Sequence, residues 1–352
     1  NIVEFSYDPS DKEYCWKPLR VRYDKTMEYI KYRNNYGNAY HVANSNWHTI
    51  HNPITKEVIT NQDLAKEQGK KDEDYDDGIY YDRSDGESKT KKLRGFHNNI
   101  VKKMLFQFVN NKRNSSLIDF AIGKGGDIPK IVRLNYGSIF GIDISEDNIH
   151  NRFDGACSRY LSIASGRKNM PHAIFIKGDS SKLIENGHFA FDDKSRNIYY
   201  ALMGKGKRTQ DMDKYTYKYY GVHKNKFDVG SIQFAIHYMF ESKLTLHNFI
   251  RNVAKHVKHG GYFIGTCYNG KNVFNMLKDV EYNDKKELYV DTKKIWHIQK
   301  KYNESDSETF ENNESSIGMK VNVYQESINR AFDEYLVNFD YFIKVMKDYG
   351  FE

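Results

Sequence analysis

The chain has 352 residues, 54 Lys and Arg against 47 Asp and Glu, and a formal charge of +7. That length allows one large domain or two smaller ones, and the modest basic excess favours an anionic partner. No apolar run reaches the roughly 18–20 residues of a membrane span. Cys15, Cys157 and Cys267 form no C-x-x-C pair and no metal spacing, which excludes a disulfide framework and a zinc module.

No signal peptide opens the chain, and a reducing, cytoplasmic setting is expected. The sequence starts at Asn1 without a methionine and reads as a piece of a longer polypeptide. Residues 1–58 are dense in Tyr, Arg, Lys and Asn and lack a helical period. Within them, in "WKPLRVRYDKT" (Trp16 to Thr26), Arg20 and Arg22 alternate, which puts both on one face of a strand. Residues 59–92 are polar and read as a solvated linker. From Leu93 the pattern changes, and "NNIVKKMLFQFVNN" has helical spacing.

Five short apolar runs follow: "SLIDFAI", "SIFGIDI", "AIFIKGD", "FDVGSIQFAI" and "GGYFIGTCY". Helical segments lie between them. The last, "SKLTLHNFIRNVAKHVKHGG", predicts a helix with basic residues late and a glycine stop. The alternation predicts an α/β fold, a mostly parallel sheet with helices on both faces and a ligand site beyond the carboxyl ends of the strands. Two stretches are too long for ordinary connections. Residues 185–222 are basic and aromatic, either a nucleic-acid contact or a mobile loop; residues 279–323 are largely polar and acidic.

The first strand ends in "DFAIGKGGD", Asp119 to Asp127. Gly123, Gly125 and Gly126 let the backbone approach a ligand, but Ile128 breaks the dinucleotide pattern G-x-G-x-x-G. The terminal Asp would repel a pyrophosphate and suits a ligand with an ammonium group. S-adenosylmethionine carries one beside its sulfonium. Asp143 stands where a carboxylate can accept ribose hydroxyls. Asp179-Ser180 ends the third strand, where the Asp can accept from an adenine amino group. Lys102, on the preceding helix, could pair with the ligand's carboxylate.

"LRGFHNNIVK", "IDFAIGKGGDIPK", "GIDIS", "KGDSSK", "QFAIHYMF", "GGYFIGT" and "EYLVNF" resemble, in this order, segments of mRNA cap guanine-N7 methyltransferases, of the kind found in multifunctional capping enzymes of large DNA viruses. The resemblance covers roughly residues 90–352 and places the methyltransferase domain at 93–352. It implies a Rossmann-like S-adenosylmethionine-dependent methyltransferase fold, S-adenosylmethionine as methyl donor, capped RNA as substrate, and no metal. Lys102, Asp119, Gly123, Gly125, Asp127, Asp143, Asp179, Ser180 and Gln233 would hold the donor. His237 and Tyr238 would face the guanine, Glu334 would accept from it, and Phe234 would offer a ring face. The cap phosphates would meet Lys124 and Arg152 or Arg159. "FHNNIVK" carries one residue more than the usual spacing, which leaves Asn98 or Asn99 for the cap side. Residues 16–26 resemble the closing motif of capping guanylyltransferases, so residues 1–58 would be the tail of an OB-fold. The parent polypeptide would carry guanylyltransferase and triphosphatase domains, and a stimulatory subunit is known among viral relatives. The family continues past "KDYGFE", which implies truncation at the C-terminus. The alternative is a catalytically silent RNA-binding or partner subunit on the same fold, which would be expected to lose the glycine turn and the strand-end acids.

Overall fold

The computed structural model describes residues 1–11, 14–32, 88–110, 112–210, 212–303 and 309–352. The chain divides into two compact units, Asn1–Asp76 and Asp77–Glu352. Residues 33–58 of the expected OB-fold tail and 59–87 of the expected linker lie outside the described residues.

In the first unit, β1 (Val3–Tyr7) pairs antiparallel with β2 (Trp16–Val21), and a helix follows at Tyr23–Tyr32. β2 stops one residue before Arg22. Both guanidinium groups still reach Glu4, Arg20 at 2.9 Å and Arg22 at 3.7 Å, and Arg22 also pairs with Asp24.

The second unit opens with helix Lys91–Phe96, a single π turn at His97–Val101 and helix Lys102–Val109. A π turn takes one residue more than an α turn, so it absorbs the extra residue of "FHNNIVK". β3 (Ser116–Asp119), β4 (Ser138–Asp143), β5 (His172–Lys177), β6 (Phe227–Gln233) and β7 (Val257–Thr266) then form a sheet in the order β5-β4-β3-β6-β7. Every pair is parallel. The order reverses between β3 and β6, the position at which sheets of this kind bind ligands beyond the carboxyl ends of their strands.

Strand alternation sends residues to opposite faces. Leu117, Ile139 and Val229 pack with Phe106 and Ile131 on one side. Ile118, Phe140 and Ile142 join Phe249, Ile250 and Val253 on the other. This is the expected Rossmann-like arrangement, helices on both faces of a parallel sheet.

Two expectations need correction. The helix after β6, Lys243–His256, does not end on a glycine stop. Val257 turns directly into β7, and Gly260-Gly261 lie in an irregularity of that strand opposite Asp228. Gly260 has φ +71°, and a Cβ on Gly261 would come within 2.7 Å of the Asp228 carbonyl oxygen. Residues 279–323 are more than a polar insertion. They supply β8 (Lys285–Val290), β9 (Lys293–Lys300) and the start of β10 (Lys320–Gln325), which with β11 (Arg330–Tyr335) form a second, antiparallel sheet in the order β11-β10-β9-β8. Ile298, Val321 and Val323 of that sheet pack on Val273, Phe274 and Leu277.

Residues 185–222 are anchored as well. Phe189, Tyr199 and Leu202 are buried in the main core, and the Tyr199 hydroxyl lies 2.8 Å from His256 Nε2. Among the described residues, no helix is long and apolar enough to cross a membrane.

Candidate functional site

The turn after β3 gathers charge at the switch point. Gly125, at φ +68°, sits so close to Ile128 and Ala156 that a Cβ would meet them at 2.5 and 3.1 Å. Asp127 begins the helix Ile128–Arg133 and takes the ammonium groups of Lys102 at 3.0 Å and Lys130 at 2.7 Å. Asp119 lies beneath, 2% exposed, its carboxylate accepting from the Ala121 N–H. Burial pushes the Asp119 carboxyl up to about 7, with Asp127 and Asp143 adding to the rise. A cation beside two acids, one of them short of donors, is complementary to a zwitterionic amino-acid group.

Asp143, at the end of β4, is buried. It accepts from the backbone of Gly123 at 2.8 Å and of Ser145 at 3.0 Å, and from the Asn148 side chain at 3.0 Å. Burial still outweighs these donors and raises its pKa. A carboxylate has about four acceptor positions, so roughly one remains for an incoming hydroxyl. Beyond β5, Asp179 binds the amide and hydroxyl of Ser181 and pairs with Lys182 at 3.5 Å. The Ser180 hydroxyl donates to the Phe120 carbonyl at 2.6 Å, so it pins the loop to the end of β3.

β6 ends in an unusual way. Gln233 bridges to Ser231 and to Thr266 of β7. Phe234 then adopts φ +56° while its N–H donates to the Thr266 carbonyl at 2.8 Å. A bulky residue rarely takes this conformation, and such strain concentrates at functional sites. The turn ends the strand and starts the 3₁₀ helix Ile236–Glu241, which carries His237 and Tyr238. The Phe234 ring meets the Lys102 ammonium at 5.4 Å and the edge of His97 at 5.3 Å.

His237 stacks obliquely on Tyr238 and lies 3.5 Å from Cys267 Sγ through Nδ1. Its Nε2 is 3.7 Å from Glu334 of β11, too long for a hydrogen bond. Both side chains are almost wholly buried. Burial holds His237 down at about 3 and pushes Glu334 up to about 8. Near neutral pH they are therefore an imidazole and a carboxylic acid, not an ion pair. His237 Nε2 has no hydrogen-bond partner. The pair borders a narrow crevice with Cys267, Tyr268, Val321 and Val323.

The basic residues expected at the cap phosphates stand differently. Lys124 is 8% exposed and held by Asp147 at 3.2 Å and Asp154 at 3.1 Å. Arg159 donates to the Lys124 carbonyl, while Arg152 is exposed. Asn98 is half-buried and Asn99 exposed, both on the π turn. Sequence reasoning missed His97, whose Nδ1 is buried without a partner. The extra residue of "FHNNIVK" marked this stretch but did not single out His97. It also missed Tyr268, whose hydroxyl accepts from Gln325 at the crevice. Among the described residues no His, Cys, Asp and Glu cluster could hold a metal ion.

Residues 73–352 match the family profile of the mRNA (guanine-N(7))-methyltransferase domain. The chain is 29% identical to a probable mRNA-capping enzyme of Acanthamoeba polyphaga mimivirus, over 99% of this chain and 29% of that one. It is 27% identical to an mRNA cap guanine-N(7) methyltransferase of Debaryomyces hansenii, over 74% of this chain and 47% of that one. It thus spans less than half the length of either relative. Among solved structures, an S-adenosylmethionine-dependent methyltransferase from Clostridium acetobutylicum aligns at a TM-score of 0.40 and 14% identity, covering 73% of this chain and 86% of that one.

Proposed function

The chain belongs to the mRNA (guanine-N(7))-methyltransferase family, and from that premise we propose that it methylates N7 of the guanine in a GpppN RNA cap, with S-adenosylmethionine as donor. The observation that carries the reading is the meeting of His237, from the end of β6, with Glu334, from the separate antiparallel sheet, at one crevice.

The donor site fits an amino-acid nucleoside. Lys102 would take the carboxylate, Asp127 and the buried Asp119 the ammonium, Asp143 a ribose hydroxyl and Asp179 the adenine amine. Gln233 would line the same edge, with Gly123 and Gly125 shaping the floor. When bound, S-adenosylmethionine supplies an electrophilic methyl group on a positively charged sulfur. Glu334, once ionised, accepts from guanine N1–H and the exocyclic amine together, a pair of donors that adenine lacks. His237 and Tyr238 hold the base, and Phe234 offers a ring to the cationic product.

Guanine N7 has an available lone pair, so the reaction needs no general base. The side chains contribute alignment and a suitable environment for the moving charge. Asn98 or Asn99 would lie on the cap side of the π turn. Arg152 is the best placed of the basic candidates for the cap phosphates, since Lys124 and Arg159 are engaged with their neighbours. The motif at residues 16–26 supports a parent polypeptide with guanylyltransferase and triphosphatase domains. The unpaired cysteines fit work in a reducing compartment such as the host cytoplasm.

The test is methyl transfer from labelled S-adenosylmethionine to GpppA-ended RNA, with uncapped and N7-methylated RNA as controls. Transfer to the unmethylated cap alone is the expected result. Donor binding without transfer to any cap would overturn the reading.

A further inference from the structure

A basic stretch leads from the helix that ends at Leu202 into β6. Residues 203–226 hold seven lysines and arginines against two aspartates, a net charge of +5. One of those aspartates, Asp213, is absorbed as the cap of the helix Lys214–Lys218, where it accepts from the N–H groups of Tyr215 and Thr216. Among the described residues none of the seven cations pairs with a carboxylate. Several lie over aromatic rings instead. The Arg208 guanidinium is 4.0 Å from the centre of the Tyr217 ring, Lys218 is 5.0 Å from Tyr219, and Lys205 lies over Tyr199 and Tyr200. Tyr215 and Tyr217 remain 41% and 37% exposed.

The segment is also fixed in place. The His172 ring stacks on Tyr215, the Tyr215 hydroxyl donates to the Ala173 carbonyl at 3.0 Å, and the His223 N–H donates to the Leu202 carbonyl at 2.9 Å. His172 starts β5, and Phe227 starts β6 just after the segment. The basic face therefore lies at the amino-terminal rim of the sheet. Exposed Arg113, before β3, and Arg167 and Lys168, before β5, border the same rim. The proposed cap site is at the carboxyl ends, a strand length of about 20 Å away.

We propose that this rim is a second RNA-binding surface, which holds the body of the transcript beyond the cap without reading its sequence. The inference rests on the cap-methyltransferase reading. Cations without carboxylate partners attract phosphates, and the exposed Tyr217, braced by Arg208, offers a stacking platform to bases of any kind. A cap dinucleotide in the proposed cap site cannot span the distance to the rim, whereas a longer RNA can.

The test compares Lys207→Glu with Lys218→Glu, combined, against the charge-keeping pair Lys207→Arg with Lys218→Arg. Substrates are GpppA and a capped RNA of about 20 nucleotides, longer than a typical single-strand site. The reversal is expected to raise KM for the long RNA about tenfold and to flatten the slope of log affinity against log salt by about 1.4, two phosphate contacts at roughly 0.7 each. KM for GpppA should not change, and the arginine pair should behave as wild type. An unchanged KM for the long RNA, or an equal loss on both substrates, would overturn the proposal. So would loss of binding to an acidic protein subunit while the RNA constants stand still. Filter binding of uncapped RNA judges the surface independently of methyl transfer. If the wild type methylates no cap yet binds uncapped RNA through these lysines, the functional reading fails and the surface stands.

Discussion

Replacing Glu334 with Gln tests how guanine would be recognised. Burial without a compensating donor keeps the Glu334 carboxyl at about 8, so at pH 7 roughly one molecule in eleven is ionised. Guanine presents two donors and so selects the ionised form. Apparent affinity is the intrinsic value multiplied by that fraction, a cost of about tenfold at pH 7 and about a hundredfold at pH 6. GpppA binding should therefore tighten about tenfold from pH 6 to 7 and level off near pH 9, with release of about 0.9 proton at pH 7. His237, at about 3, does not titrate in this window. Calorimetry without methyl donor, in two buffers of different ionisation enthalpy, measures both quantities and avoids the contribution of Asp119. Glu334→Gln should abolish the pH dependence and weaken binding at pH 9 by roughly 30- to 150-fold, the loss of about 2–3 kcal/mol expected when a charged acceptor becomes an amide facing a donor. A flat wild-type profile between pH 6 and 8 would refute the reasoning, as would a variant that keeps the slope.

Three further outcomes follow from the site and the core. Asp143→Asn turns an amide N–H₂ toward the donors of Gly123, Ser145 or Asn148. Sinefungin titration should show at least about tenfold weaker binding, and unchanged binding would remove Asp143 from the donor site. At Phe234, whose φ is +56°, the glycine variant should be about 1 kcal/mol more stable than the alanine variant while both lose the ring; a more stable alanine variant in urea melts would rule out the strained turn. His223 is held at about 3 by burial, with neither ring nitrogen partnered, against about 6.5 when unfolded. The unfolded chain thus binds more protons below pH 6.5, and this residue's contribution is lost as pH falls toward 3. His223→Phe should gain about 2 kcal/mol more at pH 5 than at pH 8, read from urea midpoints; an equal effect at both pH values would contradict the assignment.

The parallel sheet was legible because its strands are short apolar runs that end in acids, and a polar residue at a strand end stands out against its neighbours. Asp119, Asp143 and Asp179 were found in that way, and the structure sets them at adjacent strand ends. The antiparallel sheet was not read. β8 is exposed along its whole length, and the acidic loop before β10 drew attention from the alternation in "KVNVYQ". Residue type could not tell a lysine available to phosphates from Lys124, because Asp147 and Asp154 lie well along the chain and only folding brings them to its ammonium group. Likewise, the extra residue in "FHNNIVK" gave no hint that a π turn would carry His97 to the Phe234 ring.

The separation of His237 and Glu334 on two sheets has a consequence for biosynthesis. The proposed donor-side residues all lie at or before β6, and the parallel sheet is complete once β7 has left the ribosome. Glu334 comes from β11, after the helix Gly270–Met276 and three more strands. With the roles proposed above, a nascent chain would assemble its methyl-donor cleft well before it could tell guanine from any other base, and discrimination would arrive last.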